Sequence, residues 1–356
     1  MKKIFTLLAL ITILIIPQLG CNSQGNNLGV EKTSFHMDTS CRITIYSMSG
    51  VEEMSKKEQE QRAISLITDS YRLCDEYEKL LSKTIVGSDV YNINNAGGQA
   101  VEVDESTIEV IQKGIEYGDI SQGAFDITIG EVTKLWDFSG ADKEAGQVPD
   151  EKAIAEAVSH VNYKEVVIEG NTVKLLDPEA EIDLGGIAKG YVADRVADYL
   201  ESQGVTSGVV SLGGNIVVIG QKGKALDNSS GTEFSIGIRD PFEESGTELL
   251  GVLACEDKTV VTSGTYERYF EIDEKRYHHV LNPKTGYPFE TDLVSVTIIA
   301  PKGHSVDCDG LSTTCLTLGS EKAIELLRSK EGVEGILVDV NGKITMSDDN
   351  LKFEKN

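Results

Sequence analysis

Apolar and polar positions change period along the chain, and the changes mark the elements. "CRITIYS" (41–47) alternates and predicts a strand. Across 52–81, Ile64, Ile67, Tyr71, Cys74 and Leu81 stand on a charged background, the pattern of an amphipathic helix. The stretch "DVYNINNAGGQAVEVDEST" is turn-rich and closes on a short strand. Ser106, with Glu109 three residues on, predicts a capped helix over 107–118. "SQGAFDITIGEVTKLWDF" (121–138) reads as a loop running into a helix, and "SGADKEAGQVPDE" as a surface loop, from which Pro149 and Asp150 start a helix through 158.

After residue 164 strands dominate: "EVVIEG", "TVKLL" and "EIDLG" come first. A helix over 188–203 follows, with Val192, Val196, Tyr199 and Leu200 on one face. Next come "GVVSLGGNIVVIG", "FSIGIRD", "LLGVLAC", "TVVTSG", "RYFEI" and "LVSVTIIAP", then helices over 309–318 and 321–329, and the strands "GILVDV" and "KITMSD". Hairpin-like runs with irregularly interspersed helices predict an α+β fold with largely antiparallel sheets.

The 356 residues leave room for one large domain or two ordinary ones, at roughly 150 residues each. No repeat, charge shift or long linker divides 34–356, which is read as one catalytic domain. Hydrophobic residues at 40% and charged residues at 26% suffice for a sizeable core. A formal net charge of -25 argues against nucleic acid as a partner, and an anionic small ligand would need backbone N–H groups, a lysine or a metal ion.

Lys2 and Lys3 precede the apolar run 4–16, too short for a comfortable membrane span, so residues 1–20 read as a signal peptide. Leu19-Gly20-Cys21 resembles the lipobox of bacterial lipoproteins, although Gln18 stands where an aliphatic residue is usual. That resemblance implies lipidation of Cys21 and anchoring at the extracytoplasmic side of the cell membrane; an ordinary secretory signal is the alternative. Residues 21–33 read as a flexible tether. Cysteines 41, 74, 255, 308 and 315 form neither a CxxC pair nor a disulfide framework, and are read as small buried thiols.

Three segments hold candidate chemistry. In "EIDLGGIAKGYVADRV" (181–196) glycines and Lys189 sit at a predicted helix start, where backbone N–H groups favour an anion. The order G-G-x-x-x-G fits neither the dinucleotide loop nor the Gly-Lys-Ser/Thr phosphate loop. A plain tight turn with a solvated lysine is the alternative. In "YHHVLNPKTGYP", His278 and His279 are two of only five histidines, and on a strand they point to opposite faces. In "DCDGLSTTCLTLG", Asp309 and Thr313 share one helix face and suit a hard cation such as Mg²⁺; an aspartate that merely stabilises a helix start is the alternative. His304 and Cys308 match no closed zinc set.

Taken in order, "GAFDITIGEVTKLWDF", "IDLGGIAKGYVADRV", "VSLGGNIVVIG", "VTSGTYERYF", "HHVLNPKTGYP" and "DGLSTTCLTLG" closely resemble the FAD:protein FMN transferase (ApbE-like) family, from about Phe35 to about Asp348. The resemblance implies an α+β architecture related to the T-fold. It implies FAD contacts at Met37, Ala124, Phe125, Asp126, Asp183, Lys189 and Leu281, with Asp38 replacing the glycine usual after Met37. It implies Mg²⁺ at the Gly186 carbonyl, Asp309 and Thr313, with Ser312 nearby, Gly310 where alanine is common, and His279 of "H-x-x-[DN]-P-x-T-G" as general base.

The implied reaction moves the FMN part of FAD onto a serine or threonine hydroxyl of a partner protein and releases AMP. Family precedent points to subunits of membrane electron-transfer complexes or extracytoplasmic flavoproteins as acceptors. A hydroxyl is a poor nucleophile at its own pKa, so a positioned base is required. An FAD pyrophosphatase, a non-catalytic flavin-binding lipoprotein and a solute-binding lipoprotein are the alternatives; the last lacks its usual two-lobed βα alternation.

Overall fold

Alternating side chains, covered on both sides, build the main sheet of this chain. The computed structural model describes residues 28–138, 146–222, 232–243 and 246–356. The signal peptide, Cys21, and 139–145 of the surface loop lie outside the described residues.

In chain order the first elements are β1 (Val30–His36), β2 (Thr39–Met48), α1 (Lys56–Leu81), α2 (Asp89–Asn94), β3 (Val101–Glu102), α3 (Glu105–Ile120), α4 (Gly130–Trp136) and α5 (Glu151–Ser159). The middle of the chain gives β4 (Val166–Glu169), β5 (Thr172–Leu175), α6 (Ala188–Ser202), β6 (Val205–Leu212), β7 (Asn215–Gly220), β8 (Phe234–Arg239) and β9 (Leu249–Cys255). The last part gives β10 (Lys258–Gly264), β11 (Tyr269–Ile272), β12 (Lys275–His278), β13 (Leu293–Pro301), α7 (Ser305–Leu318), α8 (Ser320–Arg328), β14 (Glu334–Asp339), β15 (Ile344–Met346) and β16 (Phe353–Lys355).

The main sheet runs β1-β2-β6-β7-β10-β13-β14-β15, and every neighbouring pair is antiparallel. Helices α1, α6 and α7 cover one face, where Val217, Val261, Val296, Ile298 and Leu337 join the largest core. The alternate residues Val218, Val260, Ile299, Ile336 and Val338 face a second sheet, β16-β9-β8, through Phe234, Ile236, Ile238 and Leu253. With both faces covered, central strands such as "LVSVTIIAP" lose the polar half of the alternation. The α+β, largely antiparallel architecture expected from the sequence is the one observed.

Several expectations are corrected. Strand β1 begins at Val30, inside the stretch read as a tether, because its backbone pairs with β2 from Val30↔Ile45 to His36↔Thr39. A two-residue turn, Met37 (φ 52°) and Asp38 (φ 55°), closes this hairpin. Both residues need the left-handed region, where aspartate is among the better-tolerated side chains. Helix α3 is capped by Asp104, whose carboxylate accepts from Ser106 N, and not by Ser106. "EIDLG" forms no strand: Glu181 alone bridges Ile129, and the Asp183 carboxylate accepts from Gly185 N at 2.8 Å, folding a turn. The cysteines of the described residues are free and buried, as expected.

Candidate active site

Two helix starts meet at the site, and each is capped by the other. The N-terminal residues flanking α6 and α7, Ile187 and His304, provide no side-chain cap. Asp309 Oδ2, from α7, accepts the Gly190 N–H in the first turn of α6 at 2.9 Å. Asp194 Oδ2, from α6, accepts the Val306 N–H in the first turn of α7 at 3.1 Å. Backbone N–H groups that a helix start leaves open are thus satisfied across the crossing. Helix α7 consequently starts at Ser305, one turn before the expected residue 309, and Asp309 lies within it, 2% exposed.

The third glycine of "GGIAKG" belongs to this crossing. A β-carbon on Gly190 would lie 2.3 Å from the Ser305 carbonyl oxygen and 2.8 Å from Asp309 Cβ. Gly190 therefore permits helix contact. Burial pushes the Asp194 carboxyl up to about 6, against the pull of the Val306 and Ser305 backbone hydrogen bonds.

The turn before α6 presents its polar groups toward the same place. Lys189 Nζ donates to the Gly185 carbonyl at 2.8 Å and lies 3.8 Å from Asp309 Oδ2. A β-carbon on Gly186 would stand 3.1 Å from Phe125 Cε2 and 3.9 Å from Thr313 Oγ1, so Gly186, Phe125 and Thr313 share one small space. Asp183 Oδ2 accepts from Lys83 Nζ and from Thr133 Oγ1, each at 2.8 Å. Burial alone would raise the Asp183 carboxyl; Lys83 and the hydrogen bonds from Lys83, Gly185 and Thr133 outweigh it and hold the group below the usual carboxylate range. Ser312 bonds Ser263 of β10 at 2.7 Å and the Asp309 carbonyl at 2.9 Å, fixing α7 to the sheet.

The two histidines separate by environment. His278 is buried, its Nε2–H donates to the Phe289 carbonyl at 3.0 Å, and its Nδ1 accepts the Val280 N–H at 3.3 Å. Both ring nitrogens are used. His279 is half-buried, and its Nδ1 lies 3.3 Å from the Arg268 carbonyl, which can only accept. Nδ1 therefore carries the hydrogen, and Nε2 is left as the basic atom. Burial, then His278 and Arg268, hold His279 down to about 3.

The other expected positions lie on separate turns and loops. Met37 forms the β1–β2 turn, which Arg268 Nη2 ties by donating to the Asp38 carbonyl at 3.3 Å. Ala124 and Phe125 lie on a loop folded by Ser121 Oγ, which accepts the Phe125 N–H at 2.8 Å. Asp126 is turned inward: Thr128 N at 2.8 Å, Thr128 Oγ1 at 2.6 Å and Tyr163 N at 3.1 Å occupy its carboxylate. The residue is 8% exposed and braces the loop that carries Phe125. Leu281, 5% exposed, joins Trp136 and Phe270 in a small apolar cluster.

Sequence reasoning missed Lys83, Thr133, Glu267 and Arg268. Glu267 is exposed at its surface; partial desolvation, with Asp309 adding to it, shifts its carboxyl upward against Lys189 and Arg268. Nothing in the segment "VTSGTYERYF" marks the glutamate. His304 pairs with Asp307 at 3.2 Å, and Cys308 is a free, buried thiol.

No group of three or more His, Cys, Asp or Glu side chains suited to a metal occurs among the described residues. Asp309, Thr313 and the Gly186 carbonyl offer oxygen donors of the type magnesium takes, an ion that needs few protein ligands and keeps water or phosphate oxygens. Among the described residues the hydrogen bond to the Asp309 carboxylate comes from the Gly190 N–H and goes to Oδ2.

This chain is similar over most of its length to proteins of one family. A protein named FAD:protein FMN transferase from Treponema pallidum is 33% identical over 350 residues, covering 95% of this chain and 92% of the relative. One of the same name from Klebsiella pneumoniae is 38% identical over 288 residues, covering 80% and 85%. The crystal structure of an ApbE protein from Thermotoga maritima superposes with a TM-score of 0.76 at 32% identity, covering 89% of this chain and 96% of that one. Flavin transferase ApbE from Vibrio cholerae gives a TM-score of 0.73 at 25% identity, with the same coverage. The ApbE family model matches residues 37–337, from the Met37 turn through α7 and into β14, and on that span this chain belongs to the ApbE family.

Proposed function

We propose that this chain transfers the FMN moiety of FAD to a serine or threonine hydroxyl of a target protein and releases AMP. The observation that carries the reading is the convergence of Lys189, Gly186, Thr313 and Asp309 at the α6–α7 crossing of an ApbE-family chain. Asp309, Thr313 and the Gly186 carbonyl would hold Mg²⁺. When bound, that ion supplies positive charge beside the FAD pyrophosphate.

The chain's own residues supply the rest. Lys189 offers an ammonium close to Asp309 in a strongly acidic protein. His279, neutral and with Nε2 available, takes the proton of the acceptor hydroxyl. An anion brought into the cleft raises the affinity of that nitrogen for a proton. The acceptor oxygen forms a bond to the phosphorus on the FMN side, the bond from that phosphorus to the bridging oxygen breaks, and AMP leaves with that oxygen. The proton passes from His279 to the departing phosphate. FMN is left joined to the protein as a phosphoester.

The test is AMP release with two acceptor peptides, one carrying threonine and one carrying valine at the acceptor position. Transfer requires AMP only with the threonine peptide. Equal AMP from both, with free FMN, identifies the hydrolytic alternative.

Placement follows from the N-terminus. The basic residues, short apolar run and Leu19-Gly20-Cys21 support lipidation of Cys21 and a position at the extracytoplasmic membrane surface. Among the described residues no helix is long and apolar enough to cross a membrane. A C21S variant then loses incorporation of labelled fatty acid; unchanged labelling contradicts the assignment.

A further inference from the structure

Lys83 lies just past α1, far in sequence from every motif of the site. Its ammonium nevertheless reaches both Asp183 Oδ2 at 2.8 Å and Thr133 Oγ1 at 2.5 Å. Thr133, on α4, has one hydroxyl hydrogen, which the Gly130 carbonyl at 2.9 Å and Asp183 Oδ2 at 2.8 Å share. The third donor, Gly185 N, reaches Asp183 Oδ1 at 2.8 Å. A carboxylate has about four acceptor positions. Among the described residues, Lys83 and Thr133 bond Oδ2 and Gly185 alone bonds Oδ1, so an acceptor position remains on Oδ1.

Both side chains are partly shielded, Lys83 at 25% and Asp183 at 20% exposure. An ion pair in that setting is worth more than one on an open surface. Asp183 also anchors the turn that carries Gly185, Gly186 and Lys189, since Asp183 N donates to the Ile127 carbonyl at 2.7 Å.

We infer that Lys83 is a positioning residue for FAD: together with Thr133 it fixes the Asp183 carboxylate, ionised and with one Oδ1 acceptor position free, toward a hydrogen-bond donor of the bound dinucleotide. The inference rests on the proposed use of FAD and deepens it. Lys83 acts through Asp183 and does not itself touch the substrate. The effect belongs to binding more than to the chemical step.

The test is FAD affinity, read by flavin fluorescence, for full-length wild type, K83M, K83R, K83Q, D183N and K83M/D183N, with thermal midpoints recorded alongside. K83M and K83Q are expected to weaken FAD binding about tenfold or more, the cost of a partly shielded carboxylate that has lost its charged partner. K83R, which keeps the charge, is expected to recover most of the loss. In the D183N background, K83M adds less than about twofold, because the residue it serves is already altered.

An equal penalty in the D183N background overturns the inference, since Lys83 would then act on FAD directly. A lowered midpoint with unchanged affinity overturns it in favour of a merely structural ion pair. Should K83M fail to fold, the K83Q and K83R pair gives the same decision. Wild-type protein that does not bind FAD overturns the underlying reading; wild-type binding with indifferent Lys83 variants overturns only the inference.

Discussion

The two faces of the main sheet are packed by different means. The face toward β16-β9-β8 closes with aliphatic and aromatic side chains, among them Ile236, Leu253, Val260, Ile299 and Val338. The face toward α6 and α7 has a larger apolar core but also buries Asp194, Ser305, Asp309, Ser312 and Thr314. Buried polar groups are costly unless bonded, so this side must be specified by geometry as well as by volume. The reciprocal caps of Asp194 and Asp309 supply that specification. The same bonds hold Asp309, so the packing of two helices places that carboxylate of the candidate site.

That difference can be broken experimentally. The largest effect is expected for Asp309. D309A should abolish Mg²⁺-dependent FAD turnover and also destabilise the fold by about 1–3 kcal/mol, since the Gly190 N–H loses its partner. D309N keeps an acceptor for Gly190, and should lose turnover while largely retaining stability. Comparable turnover in D309N and wild type would remove the metal assignment.

Next is His279. H279A should lower transfer by roughly 10²–10⁴-fold. H278A should instead lower the unfolding midpoint, since His278 is buried with both ring nitrogens bonded. Reversal of the two outcomes would reassign the base.

On the opposite face, L253A removes a fully packed side chain and should cost about 2–5 kcal/mol in denaturant unfolding without changing the KM for FAD. A changed KM would show that this layer also shapes the site.

The smallest effect is a pH dependence at Asp194. Its native carboxyl keeps a proton to about pH 6, whereas an unfolded aspartate releases it near the ordinary value of 3.8. The native state therefore binds the extra proton between these values, and this contribution to stability is full below about pH 4 and lost as pH rises through 6. D194N, which cannot titrate, removes that fall. Wild-type stability relative to D194N should decline by about 1–3 kcal/mol from pH 4 to 7, on a scale of 1.36 kcal/mol per unit of pKa. An unchanged difference would contradict the buried protonated carboxyl.

The parts legible in the sequence are those set by local pattern. The covered strands, α1 and α8 show in apolar periodicity. The order of the motifs pointed to Asp183, Gly186, Lys189, His279, Asp309 and Thr313, and Asp309, Lys189 and the Gly186–Thr313 pair lie together at one crossing. What escaped depends on distant partners. The early start of α7 needs Asp194 from another helix. Strand β1, with "VEKTSFH" half exposed at a sheet edge, lacks an apolar face of its own. "EIDLG" alternates like a strand, yet Asp183 bends it. Lys83 follows an amphipathic helix in "LLSKT", where a lysine carries no local sign of a partner a hundred residues away.

The most direct test of the account is intact mass measurement of a threonine-bearing acceptor protein incubated with wild-type enzyme, FAD and Mg²⁺, beside H279A and D309N. The account predicts an acceptor heavier by FMN less one water, with an equal amount of AMP, from the wild type, and an unmodified acceptor with D309N and, over the same interval, with H279A. An unmodified acceptor with wild-type enzyme while FAD is cleaved, or labelling undiminished in both variants, would contradict it.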